Sequence, residues 1–497
     1  MLISIMRKAD GISAGLKVAW EIVFSALLLL AVALIWWPLA RVPVSFEINY
    51  NEGWNAYLQA AAAAGRPIYG HEPQYVYANY PPLSFHLIGM VGRMTGSVLM
   101  AGRWISVASF FAIALLIGLT VRRLTAWAWC GVYAGLAFMI FVGVFEPDYI
   151  GMNDPHLLAM AFGMAGLYCL VAADSSGLLL CLSAAAFAFS LFTKQSLIAV
   201  PAAVTIYLLR TSPRCLARWL ATAAGVSAAL LAMVIWLDGR YFPQHLALKR
   251  SYLFSNALVG AAWGPYVVLF ATAIAAAFGW AVFARGRMRL LVVASLVLSH
   301  GFAAWFALGD GVNRNILFEP IVWLAVALGL AAPYAARWSA GQPQRTPVLA
   351  VLLLLPFIGS GAWLLIGRMH SDFWEWDRRS QTEAEFARTV RTVASSPGSA
   401  LCERPLVCFL AGKPQEYDMF VLQQRYQTGS LSEADLLRFL APGRFGAIQL
   451  VLPQRDAPVE AAGQRHCPEG FLTRLRSDWD VAVKTADDVV FTPPAAH

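Results

Sequence analysis

Long apolar runs separated by short polar loops make up most of the first three quarters of the chain. A helix that crosses a bilayer needs about 20 predominantly apolar residues. Eleven runs approach or reach that length, at 18–39, 103–121, 126–145, 156–173, 178–192, 196–209, 217–237, 262–284, 290–308, 316–336 and 347–366. The pattern therefore predicts a polytopic α-helical membrane domain of about eleven transmembrane helices.

The stretch 177–210 is the one place where this count depends on interpretation. At 1.5 Å per residue it is too long for one upright helix and short for two. Thr193-Lys194-Gln195-Ser196 interrupts it near its middle. We predict two short helices joined by a polar turn that lies below the membrane surface.

Loop charges support this hairpin and give an orientation. With the hairpin, twice as many basic residues of the later loops face the cytoplasm as face outward, as the positive-inside rule favours. The inner residues are Arg210, Arg214, Arg218, Arg285, Arg287, Arg289, Arg337 and Arg345, and the outer ones are Arg240, Lys249, Arg250 and Arg314. We expect a cytoplasmic N-terminus and an outer C-terminal region.

Composition divides the chain into two parts. Of 497 residues, 59% are hydrophobic and 13% charged, whereas soluble proteins carry about a quarter charged residues. Residues 367–497 nevertheless hold 15 of the 37 Lys+Arg and 17 of the 29 Asp+Glu. This excludes a cytosolic enzyme and predicts a membrane domain over 1–366 followed by a small soluble α/β domain over 367–497.

The periodicity of the tail predicts helices at 383–395 and 432–440 and strands at 400–411, 446–452 and 489–492. On one extended strand, Cys402 and Cys408 would lie about 20 Å apart, which is beyond disulfide reach. The pairing left open is one of them with Cys467. No Cys/His spacing of a zinc site is present.

Most acidic residues of the membrane part fall on the predicted outer side. The outer loops are 40–102, 146–155, 238–261 and 309–315, and these acidic residues are Glu47, Glu52, Glu72, Glu146, Asp148, Asp154, Asp238, Asp310 and Glu319. Acidic residues contribute little to topology, and ionisable groups near a membrane core tend to be functional. We therefore expect the chemistry at the outer face.

The first outer loop has the most candidate residues. Trp54, Tyr57, Leu58 and Ala61 recur at helical spacing, which predicts an amphipathic helix on the membrane surface. Glu52 begins this helix. The alternative interpretation is that Asn51 caps the helix and Glu52 only complements its dipole.

The second and third outer loops carry further carboxylates. Asp148 and Asp154 precede a predicted helix, and Asp154 is either a functional group or an ordinary N-cap before Pro155. In the third loop the polar residues continue to Glu319, inside a predicted span. A solvated loop explains such a position less well.

Together these motifs resemble a known family. Their order along the chain is Asn51-Glu52-Gly53, Tyr80-Pro81-Pro82-Leu83, Gly102-Arg103, the Asp-containing second loop and Thr193-Lys194. This order resembles the GT-C superfamily of polytopic glycosyltransferases, near the protein O-mannosyltransferase and aminoarabinose-transferase branch. The resemblance covers about residues 45–320 and is strongest to bacterial members with Glu-Gly in place of Asp-Glu.

The resemblance implies an enzyme of the bacterial inner membrane that uses a polyprenyl-phosphate-linked sugar. The acceptor would be an envelope glycan, a lipid or a protein at the outer face. A phosphate leaving group needs cations rather than a general acid, and the acceptor hydroxyl needs one carboxylate base. One base implies a single displacement with inversion at the anomeric carbon, unlike glycosidases with paired carboxylates.

Candidate residues follow from position and charge type. The candidate catalytic carboxylates are Glu52, Asp154 and Asp148. The candidate phosphate-binding cations are Lys194, Arg103, Arg250 and Arg314, for which snorkelling to the interface is the alternative role. The candidate substrate contacts are Tyr80, His86, Asn51 and Glu319. A lysine within an apolar hairpin is costly without an anion, so Lys194 is the strongest of the cations.

Two questions stay open from the sequence. Outer carboxylates suit a divalent cation, but the sequence specifies no coordination set. The alternative function is a transporter or flippase of lipid-linked sugars without catalysis. Such a protein would be expected to have internal repeats and broken helices in matching positions. No repeat is evident, and charge gathers at one face, which favours the enzyme.

Overall fold

A computed structural model describes residues 14–72, 74–174, 176–247, 263–286, 288–339, 342–441, 443–464 and 466–494. Among these residues, nine helices are long and apolar enough to cross a membrane. Two shorter apolar helices form the predicted hairpin. Each of the eleven predicted segments therefore contains a helix, and the chain is a multi-pass membrane protein.

The helices of the membrane part carry the labels α1 to α16 in chain order. They are α1 Ala14–Ala40, α2 Asn51–Ala63, α3 Leu83–Thr95, α4 Val98–Thr125, α5 Ala128–Phe145, α6 Asp148–Gly151, α7 Pro155–Ala172, α8 Gly177–Thr193, α9 Ala199–Thr211, α10 Pro213–Asp238, α11 Phe242–Leu246, α12 Trp263–Phe283, α13 Met288–Phe306, α14 Phe318–Ser339, α15 Thr346–Leu354 and α16 Ile358–Trp363.

Helix α14 lies at the centre of the membrane domain. It packs against α4, α5, α12 and α13, and its side chains from Ile321 to Leu328 are all buried. A helix that is apolar on every side is stable only when neighbours surround it or when it faces lipid. Helix α10, by contrast, leaves most of its apolar side chains exposed, as expected for a peripheral span that faces the bilayer.

The hairpin prediction is confirmed by α8 and α9. Helix α8 ends at Thr193, α9 begins at Ala199, and a five-residue turn joins them. Lys194 is the C-cap residue of α8 and only 6% exposed. A charged side chain is thus enclosed by protein at the point where the apolar hairpin reverses.

The last span continues into the tail without interruption. Residues 346–395 form one helical run that includes a π-helical turn at Leu364–Arg368. The run ends with helix α17, Met369–Ser395. The predicted domain boundary at 366/367 therefore lies inside a helix rather than in a loop.

The rest of the tail is a small α/β unit, as predicted. Its elements are β1 Ala400–Cys402, α18 Pro405–Leu410, α19 Met419–Gln427, α20 Glu433–Leu437, β2 Ala447–Val451, α21 Glu469–Asp478, β3 Asp480–Lys484 and β4 Asp488–Thr492. The sheet order is β1-β2-β4-β3, with β1 parallel to β2 and the other pairs antiparallel. Helix α17 packs on this sheet.

Two predictions for the tail are wrong. The strand expected at 400–411 ends at Cys402, because the chain turns and Pro405 starts α18, a position where proline is favoured. The turn brings the α-carbons of Cys402 and Cys408 within 5.9 Å, and the two cysteines form a disulfide. Cys467 is a free cysteine, so the pairing with Cys467 is incorrect.

We expect the disulfide to stabilise the tail. A disulfide that closes a loop of this size lowers the conformational entropy of the unfolded chain and so stabilises the folded state by about 2 kcal/mol. Cys402→Ser should therefore lower the melting temperature of the tail. Cys467→Ser is the matched control for the loss of a cysteine. Peptide mapping without reduction should recover the 402–408 pair in the native protein. Recovery of a Cys467 peptide in disulfide linkage would contradict the assignment.

Candidate active site at the outer loops

A buried ion pair between Arg103 and Glu52 lies at the centre of the outer loops. The guanidinium Nη2 and Nε atoms donate to the two carboxylate oxygens at 2.6 and 2.7 Å, and both side chains are fully buried. Arg103 also donates to the backbone carbonyls of Val42, Val44 and Phe46. The pair therefore joins α4 to the start of the first outer loop and to α2.

The same carboxylate holds the second outer loop. Glu52 accepts the backbone N–H of Asn153 at 2.9 Å and that of Ile48 at 2.8 Å. Asn55 and Gln59 lie on the same face of α2 and bind the backbone carbonyl and the side chain of Asn153. Three polar residues at positions i, i+3 and i+7 of α2 thus fix the loop beside Asp154.

Gly102 makes this contact sterically feasible. A Cβ atom at residue 102 would lie 1.8 Å from the side-chain oxygen of Asn153, a distance that real atoms do not adopt. The glycine before Arg103 therefore lets α4 and the second loop touch. The predicted Gly-Arg motif has a structural explanation that spacing alone did not supply.

These contacts revise the sequence interpretation of α2. The interpretation of Asn51 as a helix cap is wrong, because the N-cap position is Tyr50 and carries no side-chain cap bond. Asn51 instead lies inside the helix, and its side chain donates to Asp154 at 3.2 Å. Both oxygens of Glu52 are already occupied by hydrogen bonds.

Asp154, Lys194 and Tyr80 form the first of two ionisable clusters, which we call the lysine cluster. Asp154 is the N-cap of α7, where it accepts the backbone N–H of His156 at 2.8 Å. The Lys194 ammonium lies 3.7 Å from Asp154 and 3.5 Å from the Tyr80 hydroxyl, above the ring of Tyr80. Three separate segments thus converge on one nearly buried cation.

The second cluster, which we call the arginine cluster, consists of Arg41, Glu146, Asp148 and Arg314. Arg41 pairs with Asp148, and Arg314 lies 4.0 Å from Glu146. Burial, reinforced by the nearby Asp148 charge, raises the pKa of Glu146 to about 7, although the neighbouring arginines oppose the shift. Glu146 was not among the sequence candidates, because its burial could not be read from the chain.

Tyr149 links the two clusters. Its side chain is buried and interacts electrostatically with both Asp154 and Glu146. Burial raises the pKa of the Tyr149 hydroxyl well above its usual value, so it remains neutral. Members of both clusters thus lie close enough to the Tyr149 side chain to act on it electrostatically.

The remaining candidates occupy several different places. His86 binds Asp238 at 2.8 Å, next to the first outer loop. Glu319 lies in a small cavity beside the hairpin turn, away from the ion pairs described above. Arg103 has no group left free for a ligand in this arrangement. Arg250 lies outside the described residues.

The tail packs against these outer loops and covers them. Tyr50 donates to Asp418 of the tail at 2.8 Å, and Gln424 donates to Asp310 of the third loop at 2.6 Å. Gly53 lies directly against α18, where a Cβ atom would come within 2.0 Å of the backbone nitrogen of Leu406. The helix that carries Glu52 is therefore held between the membrane domain and the tail.

The part of the chain that the structure describes contains no evident metal-binding cluster. No group of three or more His, Cys, Asp or Glu side chains is arranged there to hold a metal ion. Metal dependence was left open by the sequence, and nothing in the structure tests it.

Comparison with known proteins gives structural matches only. No family model and no curated protein matches the chain. The crystal structure of ArnT from Cupriavidus metallidurans bound to undecaprenyl phosphate matches with a TM-score of 0.61 at 14% identity, over 96% of this chain and 98% of that one. The apo form of the Archaeoglobus fulgidus oligosaccharyltransferase matches with a TM-score of 0.51 at 11% identity, over 86% of this chain and 69% of that one.

These matches confirm the predicted fold. The chain has the fold of ArnT and of the archaeal oligosaccharyltransferase. The match extends through the tail, beyond the 45–320 region in which the motifs are recognised. The fold class and the resemblance inferred from the motifs are thereby both supported.

Removal of the Glu52 charge should destabilise the protein even without substrate. Glu52→Gln leaves a buried guanidinium without its counter-charge, which costs about 3–5 kcal/mol. Asp174→Asn is the matched control, because Asp174 pairs with Arg123 at an exposed site where an ion pair contributes little. Thermal unfolding in detergent should separate the two variants. Equal melting temperatures for Glu52→Gln and the native protein would contradict the structural role.

Proposed function

We propose that this protein is a glycosyltransferase that moves a sugar from a polyprenyl-phosphate donor to an acceptor at the outer face of the bacterial inner membrane. The observation that carries the proposal is the nearly buried Lys194 at the hairpin turn, beside Asp154 and Tyr80. An ammonium enclosed among apolar helices is costly unless an anion compensates it. The ArnT match, crystallised with undecaprenyl phosphate, supports a lipid phosphate as that anion.

In this proposal Lys194 receives the leaving group. The bond between the anomeric carbon and the donor phosphate oxygen breaks, and the electron pair stays on that oxygen. The lipid phosphate departs as an anion, and the ammonium stabilises the developing charge. Tyr80 holds the ammonium by its hydroxyl and its ring, and Asp154 partly compensates it when no donor is bound.

The arginine cluster would supply the base. A carboxylate takes the proton of the acceptor hydroxyl while the acceptor oxygen forms its bond to the anomeric carbon. A base works best when its pKa lies near the operating pH, which favours Glu146. Asp148 then tunes the pKa of Glu146, and Arg314 orients it. Because one carboxylate acts, the displacement inverts the anomeric configuration.

The other candidates take supporting roles in this scheme. Glu52 and Arg103 position the loop that carries Asp154, so they act through other residues rather than on the donor. Asn51 orients Asp154 through its amide group, and His86 with Asp238 borders the first loop. Arg250 remains a proposed phosphate contact on sequence grounds. The proposed orientation puts the tail in the periplasm, where it would cover the acceptor side.

Reconstituted protein with a labelled polyprenyl-phosphate sugar tests the function. Label transferred to an envelope acceptor supports the enzyme. Label that only crosses the bilayer identifies the alternative, a transporter of lipid-linked sugars. If full transfer persisted in both Glu146→Gln and Lys194→Met, the assignment of the site would be wrong.

Lys194 should determine donor affinity. Lys194→Met removes a charged hydrogen-bonding partner of the phosphate and should weaken donor binding by about 10- to 100-fold. Lys194→Arg keeps the charge and should retain part of the affinity. Lys484→Met, at an exposed lysine of the tail, is the control. Donor titration monitors the effect, and unchanged affinity in Lys194→Met would remove this residue from the phosphate site.

The pH profile should identify the base. A base acts when deprotonated, so kcat should rise with pH through about 7, the value to which burial raises the pKa of Glu146. Glu146→Gln should lower kcat by about 10²- to 10⁴-fold. Asp148→Asn removes a charge that raises the pKa of Glu146, so its profile should shift to lower pH. Loss of activity in Asp148→Asn with normal activity in Glu146→Gln would instead make Asp148 the base.

A further inference from the structure

A patch of aromatic and basic side chains lies where the last span continues into the tail. We call it the aromatic–arginine patch; it consists of Trp36 near the end of α1 and, on α17, Trp374, Trp376, Arg378 and Arg379. Trp374 and Trp376 are 46% and 39% exposed. Large exposed apolar side chains that lie together mark a surface that contacts lipid or another protein.

Contacts with α1 show the level of this patch relative to the membrane. The Trp36 ring lies 5.0 Å from the Phe373 ring and 6.2 Å from the Trp376 ring, measured between centroids. The buried Trp37 donates its indole N–H to Glu375 at 2.7 Å. Trp36 and Trp37 lie in the last two turns of α1, the first span. The start of α17 therefore lies level with the outer end of that span.

The patch also continues the lipid-facing surface of the last span. Leu365 and Ile366, in the π-helical turn before α17, are 77% and 85% exposed. Apolar side chains exposed in this way on a membrane helix are expected to face acyl chains. Tryptophan is enriched at the level of the head groups that comes next. We therefore take the outer leaflet, rather than another protein, as the neighbour of the patch.

Each arginine of the patch stacks on a tryptophan. The Cζ atom of Arg378 lies 4.9 Å from the centroid of Trp374, and that of Arg379 lies 3.6 Å from the centroid of Trp376. Side chains of an α-helix lean towards its N-terminus, which for α17 is the membrane end. The cation–π contacts hold both charges at that level.

These two charges lack a close counter-charge from the protein. In the part of the chain that the structure describes, no carboxylate oxygen lies within 4.0 Å of either guanidinium, those of Glu375 and Asp377 included. Glu375 is spaced for an ion pair along the helix, but it accepts the Trp37 indole. The Nε atom of Arg378 is buried and has no hydrogen-bond partner among the same residues. An anion from outside the chain is therefore the missing partner.

We propose that the aromatic–arginine patch binds an anionic phospholipid of the outer leaflet. Arg378 and Arg379 bind the lipid phosphate, whose oxygens match their forked N–H donors. Trp374 and Trp376 contact the glycerol and the first methylene groups. A zwitterionic lipid compensates its own phosphate with an ammonium group, so two arginines favour a lipid with net negative charge. The site does not depend on the proposed reaction, and its lipid anchors the helix that carries the tail.

Photo-crosslinking in nanodiscs locates this lipid. The nanodiscs consist of phosphatidylcholine with a small fraction of phosphatidylglycerol that carries a diazirine near its glycerol. Peptides from 363–387 should be labelled, and unlabelled phosphatidylglycerol should suppress this labelling several-fold more effectively than added phosphatidylcholine. Labelling of the basic loop with Arg214 and Arg218, at the opposite membrane face, is the internal reference.

Two double variants separate the patch from general charge. Arg378→Gln/Arg379→Gln should lower the labelling of 363–387 by about 10- to 30-fold, because each basic residue at an anionic surface contributes roughly a factor of five to binding. Arg388→Gln/Arg391→Gln removes the same charge from exposed positions of α17. These lie more than a Debye length further from the membrane, so labelling should change by less than about twofold.

The internal reference and the melting temperature show that each variant is folded. Equal labelling of 363–387 in native protein and in Arg378→Gln/Arg379→Gln would overturn the proposal. Equal losses in the two double variants would also overturn it and indicate attraction by net charge. Suppression by phosphatidylcholine as strong as that by phosphatidylglycerol would remove the preference for an anionic lipid and contradict the site.

Discussion

Compensation of buried charge is the constraint on which the outer half of this molecule depends. Arg103 is completely enclosed, and its contacts join two parts of the outer structure: a carboxylate on α2 and three carbonyls at the start of the first loop. A buried guanidinium is tolerated only with such complete pairing. The chain before α2 must therefore wrap around this side chain, and the loops acquire a defined shape without regular secondary structure.

The remaining charges of the outer loops form two clusters, and members of both act electrostatically on Tyr149. The lysine cluster borders the apolar hairpin, where a lipid would be bound. The arginine cluster borders the third loop and the last span, where the tail contacts the third loop. In the proposed reaction, the donor phosphate would bind at the lysine cluster and the acceptor would lose its proton at the arginine cluster. The scarcity of charge elsewhere in the membrane part makes this concentration meaningful.

The sequence predicted what depends on local pattern and missed what depends on contact. Apolar run length and the polar interruption at Lys194 were sufficient to predict the eleven helical segments and the hairpin. The disulfide was missed because spacing was converted to distance on an assumed strand, whereas Pro405 turns the chain. Glu146 was missed because its raised pKa comes from burial by distant segments. The partners of Glu52 were also beyond reach, since Arg103 and Asn153 lie about 50 and 100 positions further along the chain.

The helical run through residues 346–395 has a mechanical consequence. The last membrane helix is also the first helix of the tail, so no flexible linker joins the two parts, and the tail cannot swivel freely above the bilayer. The π-helical turn at Leu364–Arg368 is wider than the α-helix on either side, and such turns often occur at functional sites. A 3-10 turn at Leu355–Phe357 also interrupts the regular α-helix of this run. Any movement of the tail relative to the membrane domain would therefore have to be accommodated within this run as well as at the contacts between the tail and the loops.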